Sequence, residues 1–194
     1  MGPAPSRPPI RNDYPARAER GDVLVVVSDT HREQDPGLEG ALPDAVRSAD
    51  RVVHAGDFTT ASVLDGFRAV ADRLDAVHGN ADSTAVRDRL PRERTLDYRG
   101  ARIVVTHRPE GGETGLAMLG RAREADLVVF GHTHRPAVVE GDVTLVNPGS
   151  YADPRGNRPG YATLEPAERA LRGAIRNRDG DPFERFVVDA KNGV

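Results

Sequence analysis

What most narrows the folds open to this chain is a repeated junction, in which a short aliphatic run breaks at an acidic, amide or imidazole side chain. It occurs five times. Val23–Val27 leads into Asp29 and His31, Arg51–His54 into Asp57, Leu74–Val77 into Asn80, Ala101–Thr106 into His107, and Leu127–Phe130 into His132 and His134. Short apolar runs bounded by turn formers and rich in β-branched residues read as buried strands. Between them the period changes. Val63, Leu64, Phe67 and Val70 recur at helical spacing over Ala61–Ala71, and similar patterns cover Leu38–Ala49 and Leu116–Ala125.

The remaining segments read as strands joined by tight turns. Arg94–Tyr98 and Ala101–Thr106 flank Arg99-Gly100, and Pro136–Val139 and Val143–Val146 are joined through Gly141-Asp142. Tyr161–Leu164 is a further strand, and Ala170–Ile175 and Phe183–Val188 bracket Asp179-Gly180. Early strands alternate with helices and late ones form hairpins, which predicts an α/β sandwich of mixed sheets flanked by helices. No internal repeat is present.

At 194 residues the chain is long enough for one sizeable core and short for two. One domain over residues 21–194 is expected, after an extension over residues 1–20 that holds Pro3, Pro5, Pro8, Pro9 and Pro15. Proline at that density propagates neither helix nor sheet, so the extension is expected to be disordered. It has no apolar core of a secretory signal, and nowhere do 18 apolar residues run together, so a cytoplasmic protein without a membrane partner is expected. The absence of cysteine excludes disulfides, thiolate metal sites and a cysteine nucleophile. A net charge of -3 argues against nucleic-acid binding. Of 27 basic residues only Lys191 is lysine, a bias that predicts no partner by itself.

The residues at the run ends are Asp29, His31, Asp57, Asn80, His107, His132 and His134. Sites in layered α/β folds assemble where strand C-termini meet, so these seven are candidates for one cluster. Residues two apart in extended backbone share a face, which would let His132 and His134 address one site. A His-rich turn lying on the surface is the plainer alternative. Glycine precedes Asp57, Asn80 and His132, where it would permit sharp turns. Oxygen and nitrogen ligands without sulfur suit Mn, Fe, Ni or Zn better than Ca or Mg. Seven ligands exceed one coordination sphere, whereas two ions roughly 3.5–4 Å apart that share a carboxylate use them well. Two divalent cations, two aspartates and one hydroxide leave a single positive charge, so the site would attract phosphate even on an acidic protein.

Asp-x-His, Gly-Asp, Gly-Asn-x-Asp, His and Gly-His-Thr-His occur here in that order, at Asp29, Asp57, Asn80, His107 and His132. In this the chain resembles the calcineurin-like metallophosphoesterase superfamily, and within it the small YfcE-type phosphodiesterases of bacteria and archaea. The resemblance runs from about Val23 to Leu164, and Asn147-Pro148-Gly149-Ser150 and Asp153-Pro154-Arg155-Gly156 match the smaller family. It implies a four-layer αββα sandwich and hydrolysis of a small phosphate ester, a phosphodiester first, by a hydroxide between two divalent ions, manganese first, with nickel, zinc or iron as alternatives.

 The roles it implies pair Asp29 and His31 with His134 on the first ion, make Asp57 the bridge, and complete the second ion with Asn80, His107 and His132. Asp57, Asn80 and His107 would thereby carry catalysis, by holding the hydroxide and positioning the phosphate. Relatives that form homodimers or homotetramers make an oligomer an expectation.

The chain departs from the family pattern twice. Ala81 stands where the superfamily usually has a catalytic histidine after the Gly-Asn pair. That predicts poor turnover of esters with basic leaving groups. Arg108 follows His107 where the smaller family commonly has glycine, and it either binds a substrate phosphate or lies in solvent. His54 and His78 are expected to pack or support the site, and Asp82 to orient the Asn80 loop. Asn147 and Ser150 either brace the site or form a plain turn. Arg135 and Arg155 are read as surface charge. Two other functions fit the same fold: a non-catalytic scaffold like the retromer subunit that resembles this family, and a phosphomonoesterase or nucleotide hydrolase.

Overall fold

Aliphatic side chains on both faces of a strand need a cover on both faces, and the order of elements supplies it. The computed structural model describes residues 22–108 and 110–190. The proline-rich extension lies outside the described residues. In chain order the first half runs β1 (Leu24–Val27), α1 (Leu42–Ser48), β2 (Arg51–His54), α2 (Ala61–Val70), β3 (Leu74–Ala76), α3 (Thr84–Arg87), β4 (Glu93–Tyr98) and β5 (Ala101–Thr106). The second half runs α4 (Gly112–Ala122), β6 (Leu127–Val129), β7 (Ala137–Val139), β8 (Thr144–Asn147), β9 (Tyr161–Ala167), β10 (Ala170–Arg176) and β11 (Pro182–Asp189).

The strands form two mixed sheets. One has the order β11-β10-β9-β1-β2-β3 and the other β4-β5-β6-β8-β7. β1, β2 and β3 pair in parallel, as do β5, β6 and β8, so each set delivers its C-terminal ends to one edge. Strand alternation then sorts the side chains into layers. Leu24, Val26 and Val53 meet Ile103, Val105, Leu127 and Val129 in a core between the sheets. Val25, Val27 and Val52 face outward onto Leu42, Val46, Val63, Leu64 and Phe67 of α1 and α2. Val104, Val128 and Leu145 face the other way onto Leu116 of α4. The architecture is therefore the four-layer αββα sandwich. Among the described residues no helix is long and apolar enough to cross a membrane.

The differences from expectation have local causes. α4 starts at Gly112, ahead of the expected Leu116, because its first turn is exposed and gives no apolar period. α1 is shorter than Leu38–Ala49 and carries Pro43 in its first turn, where a missing N–H costs no helical hydrogen bond. β9 and β10 pair as a hairpin across Glu168 and Arg169, a turn lacking the usual asparagine or glycine signal.

Candidate metal centre

Asp29 follows β1 and Asp57 follows β2, and both are buried. Around them the structure gathers imidazoles from both sheets. His107 Nε2 lies 3.1 Å from Asp57 Oδ2, and His31 Nε2 lies 3.2 Å from the same oxygen. His134 Nε2 is 3.5 Å and His31 Nε2 3.9 Å from Asp29 Oδ1. Asn80 Oδ1 stands 3.2 Å from His107 Nε2. Two triads of donor atoms result, Asp29 with His31 and His134, and Asp29 with Asp57 and His107, each within 4.8 Å. The rings of His31 and His134 stack at 4.8 Å, and His132 meets His107 edge-on at 5.4 Å. His132 belongs to neither triad, but its backbone N–H donates to both carboxylate oxygens of Asp29 at 3.0 Å. Arg108 is exposed and lies on the outer rim, in a cleft shared with Asn80 and His107.

The turns that aim these groups are not extended. Asp29, His31, Asp57, His132 and His134 all have positive φ, between 45° and 73°. The expected alternation of His132 and His134 along a strand is therefore corrected. β6 ends at Val129, and each histidine adopts the left-handed conformation. The glycine reading changes as well. Gly56 has φ 95°, but Gly79 and Gly131 do not have positive φ. These two provide space: a Cβ on Gly79 would sit 2.1 Å from Asp57 Oδ1, and one on Gly131 2.0 Å from Ser28 Oγ.

Protonation decides what the cluster can hold. A carbonyl only accepts, so His107 Nδ1, 2.8 Å from the Ala55 carbonyl, carries a proton and donates it. His134 Nδ1 donates to the Asp153 carbonyl in the same way. In the neutral rings, both Nε2 lone pairs then face carboxylate oxygens. His31 Nε2 is buried with no hydrogen-bond partner. Such a convergence of electron pairs needs a cation among them, and imidazole nitrogens with carboxylates suit a divalent transition metal. The donors present fit that group. Burial alone would lift the Asp57 pKa, but the imidazoles of His107 and His31 beside it outweigh burial and hold the carboxyl far below the usual range. Burial raises Asp29, against the pull of His107. Burial would lower His107, but the hydrogen bond and charge of Asp57 raise it instead. Burial, with the charges of His107 and Arg108, lowers His132.

A second ring of contacts holds the turns. Asp82 accepts the backbone N–H groups of Asp57 at 3.1 Å, Thr59 at 2.7 Å and Gly79 at 2.7 Å, so it ties two site loops together. Asn147 donates to the Gly131 carbonyl at 2.9 Å and to Thr133 Oγ1 at 3.0 Å. Ser150 donates to the Asp29 carbonyl at 2.7 Å. Asn147 and Ser150 are thus braces, which settles the alternative of a plain turn. His54 is fully buried, stacked on Phe58 at 3.6 Å and hydrogen-bonded to Thr30 at 2.8 Å. Burial holds its pKa well below that of a free imidazole. Ser28, whose hydroxyl donates to Asp29 Oδ2 at 2.7 Å, was not foreseen, and only its place beside Asp29 could have flagged it.

A model of the calcineurin-like phosphoesterase superfamily domain matches residues 23–169. The chain belongs to the calcineurin-like phosphoesterase superfamily. A relative from Methanocaldococcus jannaschii, named as a probable metallophosphoesterase, is 34% identical over 142 residues, covering 70% of this chain and 71% of its own. A second protein of that organism, named as a phosphodiesterase, is 26% identical over 139 residues, covering 65% of this chain and 82% of its own. Among solved structures, Vps29 of Entamoeba histolytica complexed with zinc has a TM-score of 0.69 at 21% identity, covering 87% of this chain and 99% of its own. That likeness concerns the fold. This calcineurin-like phosphoesterase keeps Ala81 beside the site, and the Ala81 N–H donates to Asp57 Oδ1 at 2.7 Å. The side chain there offers no proton.

Proposed function

We propose that the protein is a metal-dependent phosphodiesterase whose two divalent cations are held by Asp29, His31, Asp57, Asn80, His107, His132 and His134. The observation that carries this reading is the set of Nε2 atoms from His31, His107 and His134 directed at two buried carboxylates. Bound divalent cations would supply electrophilic charge to a phosphate and lower the pKa of a water. The chain's own residues do the rest. Asp57 is fixed by the Ala81 N–H and stays ionised, while the backbone carbonyls of Ala55 and Asp153 engage Nδ1 of His107 and His134 and so leave their Nε2 atoms turned toward the cations. Asn80, exposed at the rim, and Arg108, which lines the same cleft, would bind phosphate oxygens. The name of the second Methanocaldococcus relative favours a diester over a monoester. Manganese is the first cation to test, with nickel, zinc and iron after it.

With no protonated side chain at position 81, the departing oxygen leaves as its anion, so the rate should follow leaving-group acidity. Aryl diesters spanning a range of phenol pKa values test this under saturating metal. A steep decline in kcat/KM with rising pKa is expected, and a flat series refutes the role given to Ala81. Asp57→Asn should lower metal occupancy and hydrolysis together. Full activity in that variant with both ions bound would remove Asp57 as the bridge. Two bound ions with no hydrolysis of aryl mono- or diesters under any of the four metals would instead favour a binding scaffold.

A further inference from the structure

We infer that the substrate carries a second phosphate next to the scissile one, taken up by a cleft that Arg87, Arg92 and Arg108 form beside the metal cluster. The inference rests on the phosphoesterase reading and specifies its substrate class. The cleft has a volume of about 260 Å³ and is lined by the three arginines together with His78, Asn80 and His107. Asn80 and His107 thus belong both to the cleft and to the candidate metal cluster. A group bound in the cleft therefore lies alongside a phosphate at the cations.

Charge and size identify the group. Three guanidiniums, permanently protonated, line one small cleft on a chain whose net charge is -3. The planar fork of arginine matches phosphate oxygens two at a time. A volume of about 260 Å³ falls below the roughly 300–1,000 Å³ of pockets that enclose a whole small molecule. The cleft suits a substituent such as a phosphate. Arg87 donates to the Asn80 carbonyl at 2.6 Å, which fixes its guanidinium to the loop that presents Asn80. Arg92 is paired with Glu110, the only carboxylate lining the cleft among the described residues. Both partners are exposed, so this pair is weak and an incoming phosphate can displace the carboxylate. Glu110 acts as a resident competitor for Arg92.

The test compares the para-nitrophenyl esters of thymidine monophosphate and thymidine diphosphate on the metal-loaded full chain. They share leaving group and nucleoside and differ by one phosphate. The diphosphate ester should have a kcat/KM about tenfold higher, the gain expected of one added charge-assisted contact. Arg92→Ala should reduce that ratio and Glu110→Gln should raise it, and shifts of opposite sign exclude a general loss of folding. Equal kcat/KM for the two esters, or a ratio unmoved by both variants, overturns the inference. If neither ester is hydrolysed, the phosphoesterase reading fails, and calorimetry with thymidine monophosphate and diphosphate decides the cleft separately. Tighter binding of the diphosphate that weakens in Arg92→Ala supports it, and equal affinity overturns it.

Discussion

Gly131 shows how narrowly the site is built at the scale of single residues. A Cβ there would lie 2.0 Å from Ser28 Oγ and 2.7 Å from Asp29 Oδ2. Gly131→Ala should therefore displace Asp29 and weaken manganese binding at least tenfold, about 1.4 kcal/mol, while the circular dichroism spectrum stays native. Calorimetric titration of metal into the variant checks this. His107 sets the pH response. Its pKa is raised, burial being outweighed by Asp57, so the metal-free site binds a proton at a higher pH than a free imidazole does. Cation binding must expel that proton, so apparent affinity is full above the raised pKa and falls by about tenfold per pH unit below it. Metal titrations between pH 8 and pH 6 measure the slope, and a flat profile removes the assignment of His107. The identities of the clustered residues were legible in the sequence because each ends an apolar run. Their backbone was not: positive φ at Asp29, His31, His132 and His134 depends on braces such as Asn147 and Ser150, which lie more than ten residues away from the turns they hold.

At the scale of elements, a buried ionic network joins the two sheets at one end. Arg51 on β2 donates to Asp75 on β3 at 2.6 Å and to the Asp97 carbonyl of β4 at 2.9 Å. Arg94 on β4 reaches Asp75 from the other sheet at 3.1 Å. Asp75→Ala leaves Arg51 buried without its carboxylate, and a loss of about 3 kcal/mol is expected in denaturant unfolding. Asp65→Ala, which breaks an exposed pair with Arg89, should leave the midpoint close to the parent value. The strands and the helix α2 were readable because burial on two faces or one imposes a period. The four-residue α3 was not, since Thr84–Arg87 is too short to show one. Which strands pair across sheets is likewise a property of the docked core, not of any single run.

For the whole molecule, the seven candidate ligands divide between the sheets. Asp29, His31, Asp57 and Asn80 follow strands of one, and His107, His132 and His134 follow strands of the other. Cations bound between them would hold the layers together. Manganese at about 100 times its dissociation constant should add ~2.7 kcal/mol, a rise in Tm of roughly 5–10 °C for a chain of this size. Chelation should reverse the shift, and Asp57→Asn should abolish it, both measurable by thermal unfolding. The sandwich as a whole was legible through the resemblance of its motifs. The cleft of arginines was not, because Arg87 ends α3 while Arg92 and Arg108 lie in the loops before β4 and after β5, which only the folded chain brings together.

The contact between the His132 N–H and the Asp29 carboxylate spans 103 residues. Closing so long a loop is slow and should follow local pairings such as the β4–β5 and β9–β10 hairpins. During synthesis, a chain that has emerged only as far as β4 owns the carboxylates but none of the later imidazoles. Capture of metal would thereby wait for the last strands to dock, and uptake in a refolding experiment should trail the gain of secondary structure.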